Sequence, residues 1–169
     1  MNADELRALQ APLKDRYRVD PNAGLVTLRA SGALDSATIA CKVETGKALA
    51  VAGLHPATGG SGAELCSGDM LLEALVACAG VTMKAVATSM GIELRSGQVA
   101  AEGDLDFRGT LGVDKQAPVG FTHIRLKFEL DTDAPHEQLD TLLKLTELYC
   151  VVLQTLKRSP QVEATLKRA

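Results

Sequence analysis

Four cysteines carry the most reactive side chains of this sequence: Cys41, Cys66, Cys78 and Cys150. A thiol acts as a nucleophile through its thiolate, so it needs a neighbour that stabilises the anion and a path for the reagent. Cys41 alternates in register with Ile39 and Val43, which reads as a small core residue on a strand. Cys66 stands just before a helix start, where the helix dipole favours a thiolate. Cys78 lies in the middle of an apolar helical run, and Cys150 follows Leu148-Tyr149 near another helix start. From the residues alone, a core thiol is the plainer reading of Cys78 and Cys150. They lie 72 residues apart, so only the fold can bring them together.

Other groups are candidates to support such a thiol. His55 sits in the loop Gly53-Leu54-His55-Pro56-Ala57-Thr58-Gly59-Gly60, where an imidazole can order a thiolate, bind a metal or simply face water. Asp69 and Glu73 place carboxylates in the first turns of the helix that carries Cys78. Arg29 lies on the polar face of an expected strand, with Arg16 and Arg18 ahead of it; a solvated surface role is the alternative for each. His123 and His136 read as structural or solvent-facing. No CxxC pair is present, so neither a zinc ribbon nor a thioredoxin-type motif is expected. Gly60-Ser61-Gly62 lacks the third glycine of a dinucleotide fingerprint, and no Gly-Lys-Ser/Thr follows it. No metal and no cofactor are expected.

The composition narrows the field. The 169 residues are 46% apolar, enough for one domain with its own core. Eighteen Lys and Arg against 21 Asp and Glu leave a net charge of −3, without the basic excess that a phosphate backbone demands. Aromatics are 3%, which removes most stacking platforms for bases. No nucleic-acid partner is expected. The N-terminus lacks the basic and apolar regions of a signal peptide, and Glu73 and Lys84 interrupt the longest apolar segment, arguing against a membrane span. The expectation is a soluble, cytoplasmic protein with reduced thiols.

The elements that must position these groups follow from periodicity. Leu6, Leu9 and Leu13 suggest an N-terminal helical extension over 1–15. Strands over 16–52 follow from alternation at Val26, Leu28 and Ala30, then at Ala37, Ile39, Cys41 and Val43, with a third strand over 47–52. Five glycines over 53–68 mark a loop. Residues 69–90 predict a long central helix, apolar nearly all round, with Ser67 as N-cap and Gly91 as C-cap. Strands recur over 92–132, split by a loop over 108–121. Helices follow over 135–158, with Pro135 at the first helical position, and a last short strand over 161–166. That order is α+β: antiparallel sheets packed around long central helices in a single domain.

The run Ser67-Gly68-Asp69-Met70-Leu71-Leu72-Glu73-Ala74-Leu75-Val76-Ala77-Cys78 resembles the first signature of the OsmC/Ohr family, a Leu/Ala-rich helix leading to a cysteine. Glu147-Leu148-Tyr149-Cys150-Val151-Val152-Leu153-Gln154-Thr155-Leu156 resembles the second, a cysteine opening a short apolar helix. The order of elements matches over most of residues 16–166. The resemblance implies an intertwined homodimer with sites at the subunit interface. It implies a peroxidatic thiol at Cys78 and a resolving thiol at Cys150, which reduce organic hydroperoxides and are recycled by an external dithiol. Peroxidase members begin the first motif with Pro-Glu, and the Glu works with an activating Arg; here Ser67 and Gly68 hold those positions. Asp69 or Glu73 would have to serve instead, and without a cation a buried Cys78 is expected to have a raised pKa and to react slowly. Two other readings stand beside this one. One is a family member with a different redox or thiol-binding role. The other is a binder of small apolar ligands, with a pocket lined by Leu71, Leu75, Met83 and Phe128.

Overall fold

The computed structural model describes residues 2–5, 7, 8, 10, 11, 19, 31–34, 40–44, 49–112 and 114–168, with the backbone alone for 31–34, 40–44 and 49. Arg16, Arg18 and Arg29, and the alternation at 26–30, lie outside the described residues. Residues 3–5, 7, 8, 10 and 11 are helical, in line with the expected N-terminal helix.

Two sheets form. The first joins β1 (Ser31–Leu34), β2 (Ala40–Glu44), β3 (Leu49–Gly53) and β4 (Leu65–Cys66) in that order. Cys41 falls in register with Leu34 of β1 and Ala52 of β3. β4 pairs with β3 in parallel, an exception to the antiparallel expectation made possible by the intervening glycine-rich loop. The second sheet pairs β5 (Ser96–Leu105) with β6 (Phe121–Asp131), antiparallel, with an irregularity at Asp104/Leu105. Val99, Ala101, Ile124, Leu126, Phe128 and Leu130 form its packed face. Arg125 and Lys127 on β6 pair with Glu102 and Asp104 on β5.

Helix α1 (Ser67–Met90) runs between the sheets' sequences and packs against β5. Its helical reading starts at Ser67, so Cys66 rather than Ser67 is the N-cap, with no capping bond from its side chain. At the other end the Ile92 N–H donates to the Ala87 carbonyl at 2.9 Å and the Gly91 N–H to the Thr88 carbonyl at 3.2 Å, a Schellman closure. Gly91 takes φ +69° there, which its missing Cβ permits. Ile92 is thereby drawn into the core, so β5 begins at Ser96 rather than at 92. Leu75, Ala79, Met83 and Ala87, spaced by four, form the buried stripe of α1. The rest of the helix is less covered than its all-round apolarity predicts; Val81 is 72% exposed.

After β5, the short helix α2 (Phe107–Thr110) turns the chain, capped by the Asp106 carboxylate. Two further helices, α3 (His136–Tyr149) and α4 (Val151–Lys157), pack on α1. Pro135 is the N-cap of α3, one place earlier than expected. Cys150 divides the two helices in extended conformation, φ −73° and ψ 107°. Residues 158–168 carry neither helix nor strand. The expected strand over 161–166 is therefore absent. A strand needs a hydrogen-bonded neighbour, and none reaches this segment within the described residues.

Candidate functional site

The two thiols that the sequence leaves 72 residues apart meet in the structure. Cys78 lies midway along α1, half-buried. Cys150, at the joint of α3 and α4, is fully buried against Leu75 and Ala79. Helix spacing explains the meeting: residues 75, 78 and 79 share one side of α1, and the α3–α4 joint packs on that side.

The electrostatics separate the two sulfurs. Burial pushes the Cys78 thiol up. Against it stand the Val152 and Val151 amides at the start of α4, the Cys150 thiol and the Thr82 hydroxyl, which lie near the Cys78 sulfur and pull its pKa down. Together they outweigh burial and hold Cys78 below the ordinary thiol value. Burial also pushes Cys150 up, and the nearby Cys78 sulfur adds to the rise, against donation from the backbone of Leu153 and Val152. The two thiols are thus shifted in opposite directions, Cys78 down and Cys150 up. Against the expectation of a raised pKa, the Cys78 thiol lies below its ordinary value. Thr82 was missed in the sequence. Its place one helical turn after Cys78 is the signal that points to it; its one hydroxyl proton goes to the Cys78 carbonyl at 2.8 Å and would have to turn from there to serve the sulfur.

The remaining candidates fall elsewhere. His55 caps a 3₁₀ turn over Pro56–Thr58, its Nδ1 accepting from the Ala57 N–H at 3.0 Å, and it stacks on Phe107 with ring centroids 4.8 Å apart. With Cys66, Gly68, Asp69 and Phe121 it lines a cleft of about 380 Å³ at the start of α1 that does not include Cys78. Asp69 and Glu73 line an open groove with Leu72, Val76, Ala77 and Ala101. Neither carboxylate joins the thiol pair. Arg95, Arg108 and Arg125 are each held by carboxylates: Asp131 and Asp133, Asp106 and Asp114, Glu102 and Asp104. Among the described residues no set of three His, Cys, Asp or Glu side chains is placed to hold a metal.

The four residues expected to line an apolar pocket do not converge. Leu75 is fully buried beside Cys150 and Leu71 is exposed. Met83 and Phe128 instead belong to a groove of about 500 Å³ between β6 and α3, which Ile124, Leu126, Leu130, Leu139, Leu143 and Leu153 also line. The groove adjoins the thiols through Leu153, whose backbone bonds the Cys150 sulfur.

No curated protein matches the sequence. Solved structures share the fold at low identity. An OsmC-like protein from Mycoplasma pneumoniae superposes with a TM-score of 0.66 at 13% identity, over 79% of this chain and 89% of that one. An organic hydroperoxide resistance protein OsmC from Legionella pneumophila gives 0.62 at 16%, over 80% and 92%. The organic hydroperoxide resistance protein OhrB of Bacillus subtilis gives 0.53 at 16%, over 80% and 94%. The family model described as OsmC-like protein matches residues 60–165, a span that runs from the glycine-rich loop through both thiols and α4, and the chain belongs to the OsmC-like family.

Proposed function

We propose that the protein reduces organic hydroperoxides with Cys78 as the attacking thiol and Cys150 as the resolving one. The observation that carries this reading is the contact between the two sulfurs, with Cys78 held below the ordinary thiol value and Cys150 above it. The Cys78 thiolate attacks the O–O bond. That bond breaks, one oxygen stays on Cys78 as a sulfenic acid, and the other leaves as an alkoxide that takes a proton to become the alcohol. Cys150 then attacks the Cys78 sulfur; the S–O bond breaks, water leaves and a disulfide forms. An external dithiol reduces it by exchange and closes the cycle. The α4 amides, the Cys150 thiol and the Thr82 hydroxyl near Cys78 favour its thiolate in place of the Arg–Glu pair that the resemblance calls for. Burial still opposes them, and turnover is expected to be measurable but slow. Two copies of the chain are expected to act as one homodimer. The soluble character of the family is consistent with α1 serving as a core helix, although its length and apolarity would let it cross a membrane.

Consumption of cumene hydroperoxide in the presence of dithiothreitol tests this reading. Cys78→Ser abolishes it, and Cys150→Ser leaves a Cys78 that stops at sulfenic acid and over-oxidises. Undiminished consumption by Cys78→Ser overturns it.

One observation favours a second reading, a redox or thiol-binding protein without efficient peroxidase activity. Gly68 stands where peroxidase members carry the Glu, and the described arginines of the β5–β6 region are bound to other carboxylates. Disulfide formation without peroxide turnover would select it.

A further inference from the structure

In an unbroken helix each N–H donates to the carbonyl four residues back, so the Val151 N–H would go to Glu147 and the Val152 N–H to Leu148. The chain keeps that rule up to Cys150, whose N–H reaches the Thr146 carbonyl at 3.0 Å, and abandons it at the next residue. The cause is one torsion. Cys150 takes ψ 107°, where a helical residue has about −42°, and this turns the following amides away from α3. The Val151 and Val152 amides lie beside the Cys78 sulfur instead.

A helix that stops leaves the carbonyls of its last turn without intrahelical partners. At Glu147 a side chain answers for the lost amide: Gln154 Nε2 donates to the Glu147 carbonyl at 2.7 Å in a part-buried bond. That bond belongs to the bent chain alone. In a continuous helix residue 154 would stand about 10 Å along the axis from residue 147, with two turns between them, too far for a Gln side chain. Gln154 therefore stabilises the break, and it occupies the acceptor to which the Val151 N–H would return. The Glu147 carboxylate is held from the same helix, 2.8 Å from Lys157 Nζ, but both partners are about half exposed, and such a pair contributes little.

We propose, on the reading of Cys78 as the attacking thiol, that Gln154 is a positioning residue for it: the Gln154 side chain occupies the Glu147 carbonyl, keeps the chain broken at Cys150, and so keeps the Val151 and Val152 amides beside the Cys78 sulfur. Without that bond the Glu147 carbonyl is open to the Val151 N–H, α3 can extend by a residue, and Cys78 loses the amides that favour its thiolate. Few other groups compete for control of this sulfur. Among the described residues Cys150 is the titratable group that meets it, Thr82 is the neighbouring hydroxyl, and β5 and β6 bring Val99, Ala101, Ile124 and Leu126 to the cluster.

The test uses the full chain and needs no peroxide. Alkylation of Cys78 by iodoacetamide, located by peptide mass, is followed against pH in the wild type and in Gln154→Met, which keeps the length of the side chain and removes the donor. The midpoint for Cys78 is expected to rise by about half a pH unit or more. Lys157→Met, which removes the exposed ion pair and leaves the Gln154 bond, should move it by less than about 0.2 unit. Two readings on the wild type alone keep the test sound if Gln154→Met does not fold: in ¹⁵N spectra the Val151 and Val152 amides are expected to shift with the Cys78 titration, and the Gln154 side-chain amide to be protected from exchange. A protein that shows these results yet consumes no cumene hydroperoxide supports the positioning role and overturns the peroxidase reading. A folded Gln154→Met with its Cys78 midpoint unmoved overturns the positioning role, and so does a wild-type Gln154 side-chain amide that exchanges as fast as a free one.

Discussion

Cys66 and Cys78 belong to the same helix and meet opposite surroundings. Cys66 occupies the N-cap of a 24-residue helix, the end at which the peptide dipoles favour an anion. It makes no capping bond, and it lies in a cleft with His55 and Asp69. Cys78 lies three turns further on, where the dipole of α1 offers little, and the first amides of α4, the Cys150 thiol and the Thr82 hydroxyl lie about its sulfur. The comparison teaches that a sulfur inside one helix can meet the N-terminus of another: the Val151 and Val152 amides beside Cys78 are the first of α4.

The largest expected effect tests that comparison directly. In stopped-flow consumption of cumene hydroperoxide, Cys78→Ser should lower the rate by about a thousandfold or more, to the uncatalysed level, while Cys66→Ser stays within about twofold. Equal losses would make the N-cap thiol a partner in the chemistry.

Next in size is the packing that seats the pair. Leu75 is fully buried against Cys150, so Leu75→Ala should cost about 2–5 kcal/mol in urea unfolding. The exposed Leu71, one turn earlier, should cost under about 1 kcal/mol on the same change. A small loss at Leu75 would mean that the thiols are held by something other than this stripe.

A subtler effect concerns pH. Cys78 reacts as its thiolate, so the rate should rise as pH climbs through its depressed pKa and level off below the ordinary thiol range. Thr82→Val keeps the shape and removes one donor. It should move the midpoint of the profile to higher pH while leaving the plateau rate within about threefold. A midpoint that stays put would exclude the hydroxyl from holding the thiolate.

Gly68→Glu is expected to do least. A Cβ at 68 meets Phe121, Cys66 and Leu105 at 3.5–3.6 Å, ordinary contacts, so the side chain fits. It enters the cleft of His55 and Asp69, away from Cys78. The rate of peroxide consumption should change by less than about threefold. A large acceleration would point to a cation from outside the described residues, with Arg29 the first to replace.

Much of this arrangement was legible in the residues, because side-chain patterns encode it. The alternation Ile124-Leu126-Phe128-Leu130 specifies β6, and Gly91 marks the end of α1. Cys150 fell at a helix start as read. What the residues could not show are backbone events. The Val151 and Val152 amides that hold Cys78 belong to any residue type, so no letter of the sequence announces them. Thr82 carries no mark that sets it apart from any other threonine in a helix. Asp69, Glu73 and His55 were drawn toward the thiol by nearness along the chain. The helix rotates 100° per residue, and the loop turns back onto Phe107. A last strand over 161–166 is expected after Ser159-Pro160, but a strand also needs a hydrogen-bonded neighbour, which no residue letter supplies.

Cys150 is held at both ends of its own peptide unit. Its N–H closes α3 by donating to the Thr146 carbonyl at 3.0 Å, and its carbonyl opens α4 by accepting from the Gln154 N–H at 2.9 Å. The residue is thus an elbow fixed by hydrogen bonds on both sides, and it is buried against Leu75 and Ala79 of α1. A covalent bond from its sulfur to α1 would pull on the elbow itself, and the pull would be shared by two helix axes at once. Its mechanical reach extends to Lys157, the last residue of α4, and so to the point from which the C-terminal tail departs. In the proposed cycle, the angle between α3 and α4 becomes a gauge of whether the pair is reduced or oxidised.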